Sequence, residues 1–352
     1  MKTIHPLTCL VHLSRVSLIT KMSKNNAKKI AIVGAGMAGL TCARILYDHA
    51  QVTLFEKSRN PGGRMATRTS GDYQFDHGAQ YFTARSTEFQ KFLEPFVSDR
   101  TVQRWNARFV EINREKIQSK VNWEDEEPRF VAVPGMRSLL EKVSLNQPVN
   151  TQAKIASIEQ REHWTLIDET GKSFDGFDWV ITTIPSHQAT SLLPESFEFH
   201  GAIKHITMEP CFAVMLGLRA EQSFPFDAAR VKGSNLAWIS INNTKPGRQK
   251  ATSLVVHSSE EFAKQHRDRE PEEILDAQLS QLSNIIDFDT DGIEYKSLHR
   301  WLYANNSDHG DHGVFVDASS RIAACGDWTQ GGRVEGAFLS AFKTSQKLLE
   351  HL

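Results

Sequence analysis

The sequence predicts an α/β fold in which a Rossmann-like dinucleotide-binding lobe is interrupted by a second, α+β lobe inserted discontinuously. Three observations carry this reading. An apolar, β-branched run near residue 30 enters a glycine loop and then a helix-spaced segment. The next apolar run closes on an acid 20 residues beyond the middle glycine of that loop. Far down the chain, a run of small apolar residues leads into a second glycine loop and a closing helix. The two loops lie near opposite ends of 352 residues, a length that suits two lobes with cores of their own.

The first strand is Lys29-Ile30-Ala31-Ile32-Val33, with the composition of a strand buried on both faces. It feeds Gly34-Ala35-Gly36-Met37-Ala38-Gly39, after which Cys42–Leu46 continues at helical spacing. Gly34 permits the tight turn, Gly36 lets backbone approach a pyrophosphate, and Gly39 lets helix and strand pack closely. The helix start offers free N–H groups and a positive dipole end to phosphate. Strand Gln51–Phe55 ends on Glu56, where a ribose needs a carboxylate, and Lys57 follows. This fingerprint does not separate NAD from FAD. The next segment bears on that choice: Gly62-Gly63-Arg64 adds a flexible turn and a guanidinium suited to a second clamp on the same diphosphate. In Phe75–Phe82, small residues around Ala79 and Gln80 let backbone lie against a flat ring.

In the middle, Ala153–Ile158 alternates as a strand, Trp164–Asp168 opens a hairpin, and Asp178–Pro185 reads as a buried strand returning to the nucleotide sheet. Extended runs at Cys211–Leu218 and Ser253–His257, with helices near Glu260–Arg267 and Pro271–Ile286, belong to the second lobe. At the far end, strand Ser320–Cys325 leads into Gly326-Asp327 and Gly331-Gly332-Arg333-Val334-Glu335-Gly336-Ala337, with a helix from Phe338 to about Leu349. Strand, Gly-Asp, glycine loop and helix start together form a recurrent flavin seat. Asp327 accepts from a ribitol hydroxyl, and N–H groups from Arg333, Val334, Glu335 and Ala337 face the pyrimidine end of the ring. The expected division is residues 28–90, 149–189 and 296–352 for the FAD-binding lobe, of two-dinucleotide-fold type, and 91–148 and 190–295 for the substrate lobe.

On these residues the chain resembles the renalase-like branch of the flavin amine-oxidase superfamily, bacterial renalases most closely. The motifs that carry it are Gly34–Leu40, Glu56–Arg59, Gly62–Met65, Gly78–Arg85, Pro134–Met136, Ile184-Pro185, His299–Ala304 and Cys325–Leu339. The resemblance implies FAD, a backbone contact to adenine near Ile155, and oxidation of the 2- and 6-dihydro isomers of β-NAD(P)H with dioxygen reduced to hydrogen peroxide. It also matches His257, after Leu254-Val255-Val256, to a histidine of those proteins. Tyr81, His257 and Trp301 are the candidate substrate wall, a buried core histidine and core aromatics being the plainer alternatives. No covalent attachment site is evident, so FAD is expected non-covalently bound. Two other readings stand beside this one: amine oxidation, as in the wider superfamily, and a non-catalytic FAD- or NAD(P)-binding protein.

The resemblance implies a small-molecule substrate and dioxygen as partners, and composition gives no sign of nucleic acid or a membrane. Lys+Arg at 41 against Asp+Glu at 42 gives no field for nucleic acid or an acidic membrane surface, and no run approaches the roughly 20 apolar residues of a membrane span. Cys9, Cys42, Cys211 and Cys325 are widely spaced in sequence, as reduced thiols of a cytoplasmic protein are. His309 and His312 sit in a glycine-rich loop without metal-ligand spacing, so no metal is expected. Residues 1–27 form an expected leader outside the core, with no Asp or Glu before Asp48. Two origins stand open for residues 1–21: an organellar transit peptide, or a non-native start preceding Met22.

Overall fold

A computed structural model describes residues 27–352 apart from Asn146, Ser307 and His309, and apart from the side chain of Asp125. Most of the expected leader, with Cys9, and His309 lie outside the described residues. The nucleotide lobe is built on a six-stranded sheet in the order Phe315–Asp317, Ile322–Ala324, Trp179–Thr182, Lys29–Val33, Gln51–Glu56, Val149–Thr151. All neighbours are parallel except the edge strand Phe315–Asp317. Lys29–Val33 lies at the centre, and Ile30, Ala31 and Ile32 are each 0% exposed. That burial on both faces is why this strand reads as a continuous apolar run rather than an alternating one. Helices Met37–Leu46 and Arg333–Leu349 pack on one face around Ala38, Leu40, Cys42, Val334, Phe338 and Ala341. Strands Ile155–Gln160, Trp164–Asp168 and Ser173–Phe177 form an antiparallel layer whose Ile155, Trp164 and Leu166 meet the other face.

The second lobe is a seven-stranded sheet ordered Ile293–Asn306, Met208–Leu218, Ser253–Ser258, Leu236–Ile241, Ala228–Lys232, Arg108–Asn113, Lys116–Asn122. Helix Pro271–Ile285 covers one face through Ile274, Leu275 and Leu282. The expected division at 295/296 falls inside Ile293–Asn306, which pairs along its length with Met208–Leu218 and so stays with the second sheet to residue 306. The division at 90/91 likewise falls inside helix Thr87–Ser98. Helix Arg137–Val143 lies in the expected substrate segment, yet Leu139, Leu140 and Val143 share a core with the nucleotide helices. The closing helix begins at Arg333, five residues before its expected start. Gly331 and Gly332 both take positive φ, and the helix follows them directly.

Candidate functional site

The three glycines of the first loop occupy distinct physical niches. Gly34 takes φ +106°, and a Cβ there would lie 2.7 Å from Thr183 Oγ1. A Cβ on Gly39 would lie 1.9 Å from the Gly34 carbonyl oxygen, so helix and loop touch through bare backbone. A Cβ on Gly36 would meet nothing within 4 Å. That open space lies at the start of helix Met37–Leu46, where the unpaired N–H groups are. The second glycine turn closes over it: Gly63 sits with its Cβ position 3.4 Å from Gly36 Cα, and Gly62 N–H donates to Ala35 O at 3.0 Å.

Glu56 is buried at the end of its strand, and its carboxylate is held from two sides. Ala35 N–H donates to Oε2 at 3.0 Å and Ser58 N–H to Oε1 at 2.8 Å. Both oxygens keep lone pairs for a ribose hydroxyl. Lys57 is exposed beside it.

Arg64 and Asp327, expected to contact a cofactor separately, meet each other. Arg64 Nη1 donates to Asp327 Oδ2 and to Ala304 O, each at 2.9 Å, and Nη2 donates to Oδ1. The bidentate pair joins the loops from the two ends of the chain, and it leaves only part of each side chain's hydrogen-bonding capacity for a ligand. Glu335 also departs from expectation. Its carboxylate accepts from Arg85 N–H, Ser86 N–H and Ser86 Oγ, capping helix Thr87–Ser98, so only its backbone remains for a cofactor. Gly331, Gly332 and Arg333 take φ of 71°, 80° and 71° in succession, which turns the chain sharply into the N-terminus of Arg333–Leu349. Val334 is buried, Ala337 half-buried and Arg333 exposed in this first turn. Ile155 is buried against Phe55 in the core on the far face of the sheet.

Gly78 closes on Arg64: a Cβ would lie 2.0 Å from Arg64 O, and Ala79 N–H donates to the same oxygen at 2.9 Å. His77 stacks on Trp301 with centroids 5.3 Å apart, and His299 packs against both. Trp301 Nε1 donates to His77 O at 2.9 Å, and His257 Nε2 lies 3.2 Å from that oxygen. Of the three expected wall residues, His257 and Trp301 thus hang on one carbonyl. Tyr81 instead packs on Trp123 and Trp238, and Trp238 is the cross-strand neighbour of His257.

The imidazoles are uncharged at neutral pH. Burial, aided by His299 and Arg68, pushes His77 down to about 3. Burial pushes His257 down to about 4 against the opposing bond to His77 O, and His299 likewise to about 4 with help from Arg68. His77 Nδ1 is buried with no partner among the described residues.

Behind the wall lies a cluster that sequence reasoning missed: Asp76, Lys245 and Arg248, all with side chains 0% exposed. Burial alone raises the Asp76 pKa, but Lys245, Arg248 and the Met136 N–H outweigh it and hold the carboxyl below its ordinary range. Lys245 and Arg248 sit in a polar turn between two apolar strands, which in sequence has every mark of a solvated loop. Asp76, His77 and His299 did lie in segments with a sequence signal, Phe75–Phe82 and His299–Ala304, but the signal came from their neighbours. A cleft of about 540 Å³ borders the site, lined among others by Arg59, Gly62, Gly63, Arg68, His77 and Arg137. Of its arginines, Arg137 pairs with Glu141, and Arg68 donates to Ser297 Oγ.

The arrangement fits FAD. Gly36 and Gly63 leave space at a helix N-terminus for a diphosphate, Glu56 offers acceptors for a ribose, and a second helix N-terminus stands beside the wall-bearing loops. Among the described residues, no group of three or more His, Cys, Asp or Glu is placed to hold a metal ion, and no helix is long and apolar enough to cross a membrane.

Comparison with known proteins agrees with this geometry. Residues 32–96 match the family described as NAD(P)-binding Rossmann-like domain, and residues 119–349 match flavin containing amine oxidoreductase. Mouse (Mus musculus) renalase is 24% identical over 302 residues, covering 78% of this chain and 84% of its own. A 4,4'-diapophytoene desaturase of Staphylococcus aureus (strain Newman) is 36% identical over 77 residues, only 19% of this chain and 15% of its own. Among solved structures, a protein assigned as a protoporphyrinogen oxidase from Exiguobacterium sp. 255-15 superposes with a TM-score of 0.74 at 14% identity, over 92% of this chain and 99% of its own. A double mutant of putrescine oxidase gives 0.69 at 12% identity, over 92% and 100%. At those identities the two structures speak for the fold alone.

Proposed function

The chain belongs to the flavin-containing amine oxidoreductase family as a renalase-like, FAD-dependent oxidoreductase, and from that premise we propose that its substrates are the 2- and 6-dihydro isomers of β-NAD(P)H. FAD supplies two-electron chemistry when bound: the substrate yields a hydride, and dioxygen takes the electron pair with two protons to leave β-NAD(P)+ and hydrogen peroxide.

The observation that carries the substrate class is the character of the wall. His77, His257, His299 and Trp301 present flat, uncharged surface. The nearby carboxylates are already engaged, Asp76 by Lys245 and Arg248 and Asp327 by Arg64. Such a wall suits a neutral dihydropyridine ring and offers no free carboxylate to hold an aminium ion. Arg59 and Arg68 line the adjoining cleft with positive charge, which suits a ligand carrying a diphosphate.

The protein's own residues bind and orient. Gly34–Gly39, Gly62–Arg64 and Glu56 hold the diphosphate and ribose of FAD, non-covalently. With the helix starting at Arg333, the N–H groups of Arg333, Val334 and Glu335 lack an intrahelical acceptor and would face the pyrimidine end of the ring. That of Ala337, expected there too, is used within the helix. Hydride donation from a dihydropyridine needs no side-chain base, so His257 and Trp301 act by placing the ring. His257→Ala lowers the reduction rate roughly tenfold to a few hundredfold, about 1.4–3.5 kcal/mol on the barrier.

The test is anaerobic mixing of the yellow protein with 2- and 6-dihydro-NAD(P), NADH and common amines, following flavin absorbance. Rapid bleaching by a dihydro isomer, with peroxide formed when oxygen returns, is the expected result. Bleaching by an amine alone assigns amine oxidation instead, and bleaching by nothing assigns a non-catalytic flavoprotein.

A further inference from the structure

The buried ionic cluster behind the wall takes no direct part in hydride transfer. It spans the lobes: Asp76 ends strand Tyr73–Asp76, while Lys245 and Arg248 come from the turn after Leu236–Ile241. Burying three charges is costly unless each is paired and hydrogen-bonded. Arg248 alone neutralises Asp76, its Nε and Nη2 lying 3.0 and 2.6 Å from Oδ2. Lys245 is therefore the surplus cation. Its contact with Asp76 is its longest at 3.3 Å, and its other two bonds go to neutral oxygens, Asn242 Oδ1 at 2.9 Å and Gln80 Oε1 at 3.1 Å. An ammonium has three N–H bonds, and all three are committed.

Gln80 carries that charge to the wall. With Oε1 turned to Lys245, its nitrogen faces two carbonyl oxygens, those of Asp76 and of Gly78, the latter at 3.0 Å. Both are acceptors, so the amide has one orientation that satisfies every contact. Its N–H bonds are then fully used, although His257 Nε2 lies only 3.5 Å away. His257 must find its partner in His77 O at 3.2 Å. A carbonyl only accepts, so Nε2 carries the ring proton. Nδ1 is left as a lone pair with no partner among the described residues.

We infer that Lys245 is a positioning residue: by locking the Gln80 amide onto the backbone of residues 76–78, it steadies the His77 carbonyl that holds His257 and Trp301, and so presents His257 Nδ1 to the substrate as a hydrogen-bond acceptor. The substrate group that matches is an uncharged N–H donor on a flat ring, a primary carboxamide being the chemistry that fits; this last step rests on the functional reading above.

The device has a pH signature. Burial lowers Lys245 to about 8, against the pull of Asp76 and with the push of Arg248. The groups facing it are Asp76, Arg248, Gln80 and Asn242, with the Trp105 ring 5.2 Å away; His257, beyond Gln80, feels its charge. Above that pH Lys245 loses its charge and one N–H, and the hold on Gln80 loosens.

FAD-loaded wild type, Lys245→Met and Lys245→Arg distinguish the outcomes by two readouts. Ring-nitrogen NMR of His257, assigned by its absence in His257→Gln, requires no substrate. The expected wild-type result is a protonated Nε2 and bare Nδ1 at neutral pH; in Lys245→Met the tautomers mix and the protonation midpoint rises. In anaerobic titrations with 6-dihydro-NAD, Lys245→Met weakens binding about tenfold while the limiting reduction rate changes less than about threefold. Wild-type binding weakens above about pH 8, and Lys245→Arg, which stays charged, loses that limb. Should Lys245→Met not fold, Gln80→Leu must give the same change at His257. Unaltered His257 signals in the FAD-loaded variant overturn the inference whatever the substrate proves to be. A wild-type flavin that no dihydronicotinamide reduces overturns the functional reading instead, and the NMR arm still decides the role of Lys245.

Discussion

Replacing Glu56 tests the cofactor site most directly, because its carboxylate serves protein and ligand at once. In Glu56→Ala two backbone donors lose their acceptor. Ser58 is exposed and its N–H turns to water, whereas Ala35 is 0% exposed and its N–H stays orphaned. One buried unsatisfied N–H costs about 1–3 kcal/mol, so the apoprotein melts several degrees lower. The ribose loses its charged acceptor as well, about 1.5–3 kcal/mol of FAD affinity, or roughly tenfold to 150-fold in Kd. Glu56→Gln keeps one oxygen, which turns to Ala35 N–H, and leaves an NH2 opposed to Ser58 N–H; its losses fall between wild type and Ala. The assay is equilibrium titration of apoprotein with FAD by fluorescence, beside thermal melts of the apo forms. A Glu56→Ala protein that binds FAD within threefold of wild type refutes the assignment of Glu56 to the ribose.

Three further outcomes follow from the same structure. Gly36→Val folds but loses FAD, since its side chain enters the open space at the helix start, whereas Gly39→Ala fails to fold because its Cβ would overlap Gly34 O; soluble yield and flavin content separate the two. Asp76→Asn leaves Lys245 and Arg248 buried without a counter-charge and costs about 3–5 kcal/mol of stability in chemical denaturation. Asp76 and the histidines also give stability a pH dependence. His77, His257 and His299 have folded pKa values of about 3, 4 and 4, so below the ordinary histidine range near pH 6.5 the unfolded chain takes up protons first and stability falls as pH drops toward 4. The depressed pKa of Asp76 extends the loss below the ordinary carboxylate range. A melting temperature that rises between pH 6.5 and 4.5 contradicts the neutral, buried wall.

The nucleotide lobe was legible in the sequence because its constraints are local. The positive φ of Gly34, the close approach of Gly39 to the Gly34 carbonyl, and a glycine pair directly before a helix each act within a few residues of chain. A linear pattern records such constraints directly. The long strand Ile293–Asn306 was harder, since its register with Met208–Leu218 is set by pairing across the sheet and no break in its composition marks where the lobes exchange.

What only the tertiary structure decided are the pairings between distant segments. Cys42 and Cys325, remote in sequence, bring their sulfurs to 3.7 Å as free thiols. Arg64 and Asp327 look like two separate ligand contacts until the loops that carry them meet. Lys245 and Arg248 stand in a turn as polar as any surface loop, and they are buried because that turn folds over Asp76 of the other lobe. A charge in a sequence carries no mark of its solvent. Whether it faces water or a counter-ion is settled by which segments pack together, and from that packing come the neutral histidines and the fixed amide of Gln80 on which the proposed chemistry depends.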